Sequence, residues 1–131
     1  MKNVFGFVFL FSLLIPMGGS GQQTNVPITN RKTTDTYNAL QSQLEIVKKH
    51  PENPAQIAQA YLQLGEYYHT LGLYTEAIAQ YNSALEQLGS NLEDSLYITL
   101  NNNIGKVYLS LNNFELAEQY FEETKKASEQ L

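Results

Sequence analysis

Few side chains of this chain are suited to catalysis or metal binding. It has two histidines, His50 and His69. His50 stands directly before Pro51 and His69 beside Tyr68. Neither has a second histidine or a carboxylate three or four residues on, the spacing by which one helix face holds zinc. Cysteine is absent, which removes disulfides, thiolate metal ligands and thiol nucleophiles together. Serine and threonine are frequent, but no nucleophile-elbow pattern and no histidine constellation stands ready to activate one. Gly18-Gly19-Ser20-Gly21 is not followed by the Lys-Ser/Thr of a phosphate loop. The paired acids Glu122-Glu123 lie in a polar segment and read as a solvated helix face. The chain is therefore not expected to be an enzyme, and no cofactor or metal is expected.

Charge narrows the partners. Thirteen acidic residues against eight basic ones give a net charge of -5. Between Lys49 and Lys106 no Lys or Arg occurs, whereas Glu52, Glu66, Glu76, Glu86, Glu93 and Asp94 all fall there. Nucleic-acid binding depends on Lys and Arg displacing counterions from phosphates. Nucleic acid and anionic membrane surfaces are excluded on that ground.

The first 21 residues have a layout of their own. Met1-Lys2-Asn3 is positively charged, Val4 to Ile15 is apolar apart from Gly6 and Ser12, and Pro16 and four small residues, Gly18 to Gly21, follow. That is the order of a secretory signal peptide. The apolar run is shorter than the roughly 20 residues that span a bilayer. Cleavage before Gln22 makes the mature chain an exported one, periplasmic or secreted; the alternative is an N-terminal membrane anchor. No later segment is long and apolar enough to span, so no membrane span is expected in the mature chain.

Residues 22–34 are polar and read as a flexible leader. From there a helical domain over 35–131 is expected. Tyr37, Leu40, Leu44 and Val47 share one helical face, with Asp35 or Thr36 as a cap and His50-Pro51 as the stop. Asn53, Pro54 and Gln56 open a second helix as cap, first-turn proline and capping-box partner. Ile57, Tyr61, Leu64, Tyr68 and Leu71 form its stripe, and Gly72 ends it. A third helix carries Tyr74, Ala77, Ile78, Tyr81, Leu85 and Leu88 and stops at Gly89. Ser90 and Glu93 have capping-box spacing before a fourth, with Tyr97, Leu100, Ile104, Tyr108 and Leu111. Asn112 follows where a left-handed residue is wanted. The fifth carries Phe114, Ala117, Phe121 and Thr124. No segment alternates with period two, so the fold class is all-α with five helices.

Two stretches say the same thing forty residues apart. Leu64, Gly65, Tyr68, Ala77 and Tyr81 meet Ile104, Gly105, Tyr108, Ala117 and Phe121. The small positions suit a close approach of two helices and the large ones fill the hairpin. A helical hairpin cannot bury its apolar stripe alone, so such units stack in series. The order aromatic, Leu-Gly, Tyr, Ala, aromatic, Ala in Tyr61, Leu64-Gly65, Tyr68, Ala77, Tyr81 and Ala84 resembles a tetratricopeptide repeat. Ile104-Gly105, Tyr108, Ala117 and Phe121 resemble it a second time. In that second unit Asn101 replaces the first aromatic and Thr124 the last alanine. The offset exceeds the family's usual length of about 34 residues. The helix from Asp35 resembles the second half of a preceding unit, giving a half-repeat plus two repeats.

The resemblance implies a helical-hairpin solenoid that binds a protein or peptide partner in a groove lined by the first helix of each hairpin. Carried over residue by residue, the groove would show Gln59, Leu62, Glu66 and His69, then Thr99, Asn102, Asn103, Lys106 and Leu109. Some members clamp a C-terminal carboxylate with Lys and Asn. Here Leu62 and Glu66 stand where that clamp needs a cation and an amide, and only Asn103 fits, so no such clamp is expected. Tyr61, Tyr68, Tyr74, Tyr81 and Tyr108 are expected in the core. Tyr67 and Tyr120, off the stripe, are expected to be partly buried against a neighbouring helix. The leading expectation is an exported adaptor. The alternatives are the input part of a signalling system, or a self-associating structural protein that buries its Tyr120 face against a second copy.

Overall fold

The computed structural model describes residues 28–89 and 95–130. The signal-peptide reading, the first part of the leader and the Ser90/Glu93 capping box lie outside those residues. Five α-helices follow in order: α1 (Ile28–Val47), α2 (Pro54–Thr70), α3 (Tyr74–Leu88), α4 (Ser95–Ser110) and α5 (Phe114–Ser128). α2 and α3 form one antiparallel hairpin and α4 and α5 the next, with α1 laid against α2 and α4 against α3. No strand occurs among the described residues.

Both hairpin turns have the same geometry. At the end of α2, Gly72 has φ +73°, its N–H donates to His69 O, and Leu73 N–H donates to Tyr68 O, each at 3.0 Å. At the end of α4, Asn112 has φ +57°. Its N–H donates to Leu109 O at 3.0 Å and Asn113 N–H to Tyr108 O at 2.9 Å. This is the Schellman arrangement, which satisfies carbonyls the helix leaves unpaired. Asparagine tolerates the left-handed region better than most residues, so Asn112 does the work of Gly72.

The small residues of the repeat are explained by the rings across from them. A Cβ on Gly65 would lie 2.5 Å from Tyr81 Cδ1 and closer still to Cε1; one on Gly105 would lie 2.6 Å from Phe121 Cε1. Each glycine is the seat of the aromatic ring contributed by the second helix of its own hairpin. Ala77, Ala84 and Tyr81 are fully buried, together with Ala58, Leu62, Leu100, Ile104 and Val107, in the core that joins the two hairpins. A second cluster joins α1 to α2. Leu44 meets Ile57, Ala60 and Leu64 there, with Tyr37, Leu40 and Val47 packed around them.

The two departures in the second unit satisfy themselves. Asn101, where the first unit has Tyr61, is 4 % exposed, and its Nδ2 donates to Tyr97 O at 3.0 Å. Thr124, in place of Ala84, donates from Oγ1 to Tyr120 O at 2.8 Å. Each polar group finds a carbonyl one turn back on its own helix, so neither leaves an uncompensated buried donor. α3 ends at Leu88 and α4 begins at Ser95.

Several expectations are corrected. α1 begins at Ile28, so the second half of the expected leader is helical. Thr36 therefore lies inside the helix, where its hydroxyl donates to Lys32 O at 2.9 Å instead of capping. The added turns are tied down by Tyr67, whose hydroxyl donates to Thr33 O at 2.7 Å. Asn53 does cap α2 and Pro54 follows it, but the Asn53 side chain makes no capping hydrogen bond. Its carbonyl accepts from Gln56 N and Ile57 N instead. Asn113 is the cap that works, at the start of α5: its Oδ1 accepts from Leu116 N at 3.2 Å. Phe114, expected inside, is 64 % exposed, and Leu71 and Leu111 stand at the exposed edge formed by the turns.

Candidate functional site

The candidate surface is the strip where α2 and α4 lie side by side. Its floor is apolar. Leu62, Leu100, Ile104 and Val107 close together beneath it, and Gly65 is buried against the Tyr81 ring. Exposed above that floor stand Gln59 and Glu66 from α2, and Thr99, Lys106 and Leu109 from α4. Spacings of seven residues along each helix, 59 to 66 and 99 to 106, return the side chains to one face after two turns. Forty residues on, Thr99 repeats Gln59 and Lys106 repeats Glu66.

Three of the nine expected groove residues have other duties. Leu62 is 4 % exposed and belongs to the core. The reason is the crowding of α2, which packs against α1 on one side and against α3 and α4 on another and so buries more than one stripe. Asn103 is 8 % exposed, and its Nδ2 donates to Glu66 Oε1 at 3.3 Å. It ties α4 to α2 instead of standing free as half of a carboxylate clamp. His69 is half-buried with its ring 5.8 Å from that of Tyr74. Asn102 is half-buried. Gln59, Glu66, Thr99, Lys106 and Leu109 are exposed.

Glu66 is the centre of the strip's electrostatics. The Tyr81 hydroxyl is buried without a hydrogen-bond partner. Burial first, and the Glu66 charge second, push its pKa above the ordinary phenol value. One carboxylate thus serves α4 through Asn103 and lies within electrostatic reach of α3 through Tyr81. Gln63 is the counterpart of Asn103 one unit earlier, where the neighbouring helix is α1, and its Oε1 is buried without a partner. Whether the polar atom at this repeat position finds a partner depends on what the neighbouring helix offers.

The remaining aromatic and acidic candidates are structural or solvated. Tyr67 lies 6.2 Å from Tyr37 and 5.9 Å from Tyr68, ring to ring, in a cluster that docks α1 on α2. Burial, and then the Tyr37 side chain, push the Tyr68 pKa up to about 12. Tyr120 stacks on Tyr108 at 5.5 Å with planes 20° apart. Both off-stripe tyrosines are thus part-buried against a neighbouring helix. Glu122 and Glu123 are exposed, and Glu123 pairs with Lys126 at 3.1 Å. His50 is exposed and meets Glu52 at 3.2 Å. Among the described residues no group of three or more His, Cys, Asp or Glu side chains is placed to hold a metal. No described helix is long and apolar enough to cross a membrane.

Helical hairpins stacked in series, each seating an aromatic ring on a glycine, define a helical-repeat protein. The comparison of families agrees: the model of the tetratricopeptide repeat matches residues 56–130, more than half of the chain. The chain belongs to the tetratricopeptide-repeat family, whose repeats generally mediate protein–protein interaction and are typically non-catalytic. No curated protein and no solved structure matches it.

Proposed function

We propose that this chain is an exported adaptor that holds an extended segment of a partner protein along the α2–α4 strip. The observation that carries the reading is the strip itself. Gln59 and Glu66, then Thr99 and Lys106, stand exposed at equivalent positions of consecutive units above a closed apolar floor. The packing thus offers a row of polar anchors that no described helix covers. Export rests on the layout of residues 1–21, a charged start, an apolar run and small residues before Gln22.

The two halves of the proposal have separate tests. N-terminal sequencing of the chain recovered from its own cells should read from Gln22 in a soluble exported fraction. A chain that keeps Met1 in the membrane fraction would show an anchor instead. For the strip, a peptide array probed with the full chain should select binders that Thr99→Arg abolishes. Thr99 is exposed and its hydroxyl bonds only to its own helix, to Ser95 O, so that change leaves the fold intact. Binding that survives Thr99→Arg would move the site elsewhere.

A further inference from the structure

We propose that the strip selects a segment carrying one basic and one acidic side chain about three residues apart, the base over Glu66 and the acid over Lys106. This rests on the reading of the strip as a binding surface and names the chemistry of its occupant.

The two charges hold equivalent places in consecutive units, Glu66 on α2 and Lys106 on α4, and both are exposed. They are the only charged members of the strip. They form no ion pair with each other: the described ion pairs are Lys48–Glu45, His50–Glu52 and Lys126–Glu123. The Glu66 carboxylate is held by a neutral donor, Asn103, which orients the charge without cancelling it. Beside it the buried Tyr81 hydroxyl has no partner. No Lys or Arg occurs from residue 50 to 105 to neutralise Glu66 from within the repeats. The strip is therefore bipolar, with an unneutralised acid on one unit and an unneutralised base on the next. A uniformly acidic or uniformly basic segment meets one attraction and one repulsion, whereas a segment of both signs meets two attractions.

The spacing follows from packing. Adjacent helices lie about 8–10 Å apart, and a segment in the polyproline II conformation rises about 3.1 Å per residue with three residues per turn. Two side chains three residues apart therefore share one face and reach both positions.

The test measures binding of blocked peptides to the full chain by fluorescence anisotropy. The set contains Arg-x-x-Asp and Asp-x-x-Arg peptides of one neutral background, a doubly basic, a doubly acidic and an uncharged member. The wild type should bind one mixed order about tenfold more tightly than the reverse order. The exchange variant Glu66→Lys/Lys106→Glu keeps the net charge and should invert that preference. Glu66→Gln, which leaves an acceptor for Asn103, should abolish it while circular dichroism shows an unchanged fold. Equal binding of all members, or an exchange variant that keeps the wild-type order, overturns the charge assignment and leaves the strip as a site. Failure of every peptide to bind overturns the strip reading and this inference with it.

Discussion

The two hairpins share their interior and differ in their surroundings. In both, a glycine receives a ring, Gly65 under Tyr81 and Gly105 under Phe121, and in both a left-handed residue closes the turn. The first hairpin has neighbours on both sides, α1 against α2 and α4 against α3. Its second helix accordingly presents Ile78, Leu85 and Leu88, all packed on the core. At the same places α5 carries Glu118, Lys125 and Ser128, all exposed. Tyr74 is half-buried where Phe114 stands out. Letters kept between the units are set by the inside of one hairpin. Letters that change are set by whatever lies beside it.

Substitutions at equivalent positions sharpen that contrast. The largest difference is expected between Leu62 and Asn102. Leu62→Ala opens the buried joint between the hairpins and should cost about 2–5 kcal/mol in urea unfolding, whereas Asn102→Ala should stay within about 0.5 kcal/mol. Equal effects would mean that Leu62 is not core. Next come the glycines. Gly65→Leu drives a side chain into a fully buried ring and should cost about 1–3 kcal/mol or more. Gly105→Leu should cost less, because Phe121 is only half-buried and can swing outward. An unchanged melting temperature for Gly65→Leu would count against the seating of Tyr81.

Smaller effects are expected at the turns. Asn113→Ala loses the bond to Leu116 N and should cost about 1 kcal/mol. Leu73→Asn, at the equivalent position of the first turn, should install the cap absent there and raise the melting temperature. A fall would show that the two turns differ in more than this side chain. The smallest effect is on pH dependence. The folded chain holds the Tyr68 proton to about pH 12, above the ordinary phenol value of 10.0, so the unfolded chain sheds its proton first. The stability linked to that proton is complete below pH 10 and lost as pH rises towards 12. Tyr81 and Tyr120 shift the same way, mainly by burial. Tyr68→Phe/Tyr81→Phe should remove more of the alkaline loss than Tyr120→Phe, read as melting temperature against pH. The opposite ranking would place the larger shifts in the second hairpin.

Much of this fold was legible in advance because its information is local. The number and type of the helices, the seats at Gly65 and Gly105 and the left-handed turn at Asn112 follow from spacing, volume and backbone sterics within one hairpin. Asn101 and Thr124 looked like defects in the repeat and are repaired by carbonyls one turn away, which a sequence reader can see only by asking where each polar atom would go. The start of α1 was misplaced because polar residues 28–34 show no apolar period. They are helical through contacts with α2, including the bond from Tyr67 to Thr33 O.

The repeated hairpin is written in the chain, since sterics and helical periodicity act between residues close in sequence. Which positions remain available to a partner was set by how the helices pack. Leu62 left the strip for the core, Asn103 turned to Glu66, and Glu66 and Lys106 stayed exposed and apart. Those outcomes depend on which helix lies alongside which, and burial is a property of the assembled neighbours, not of the residue that is buried.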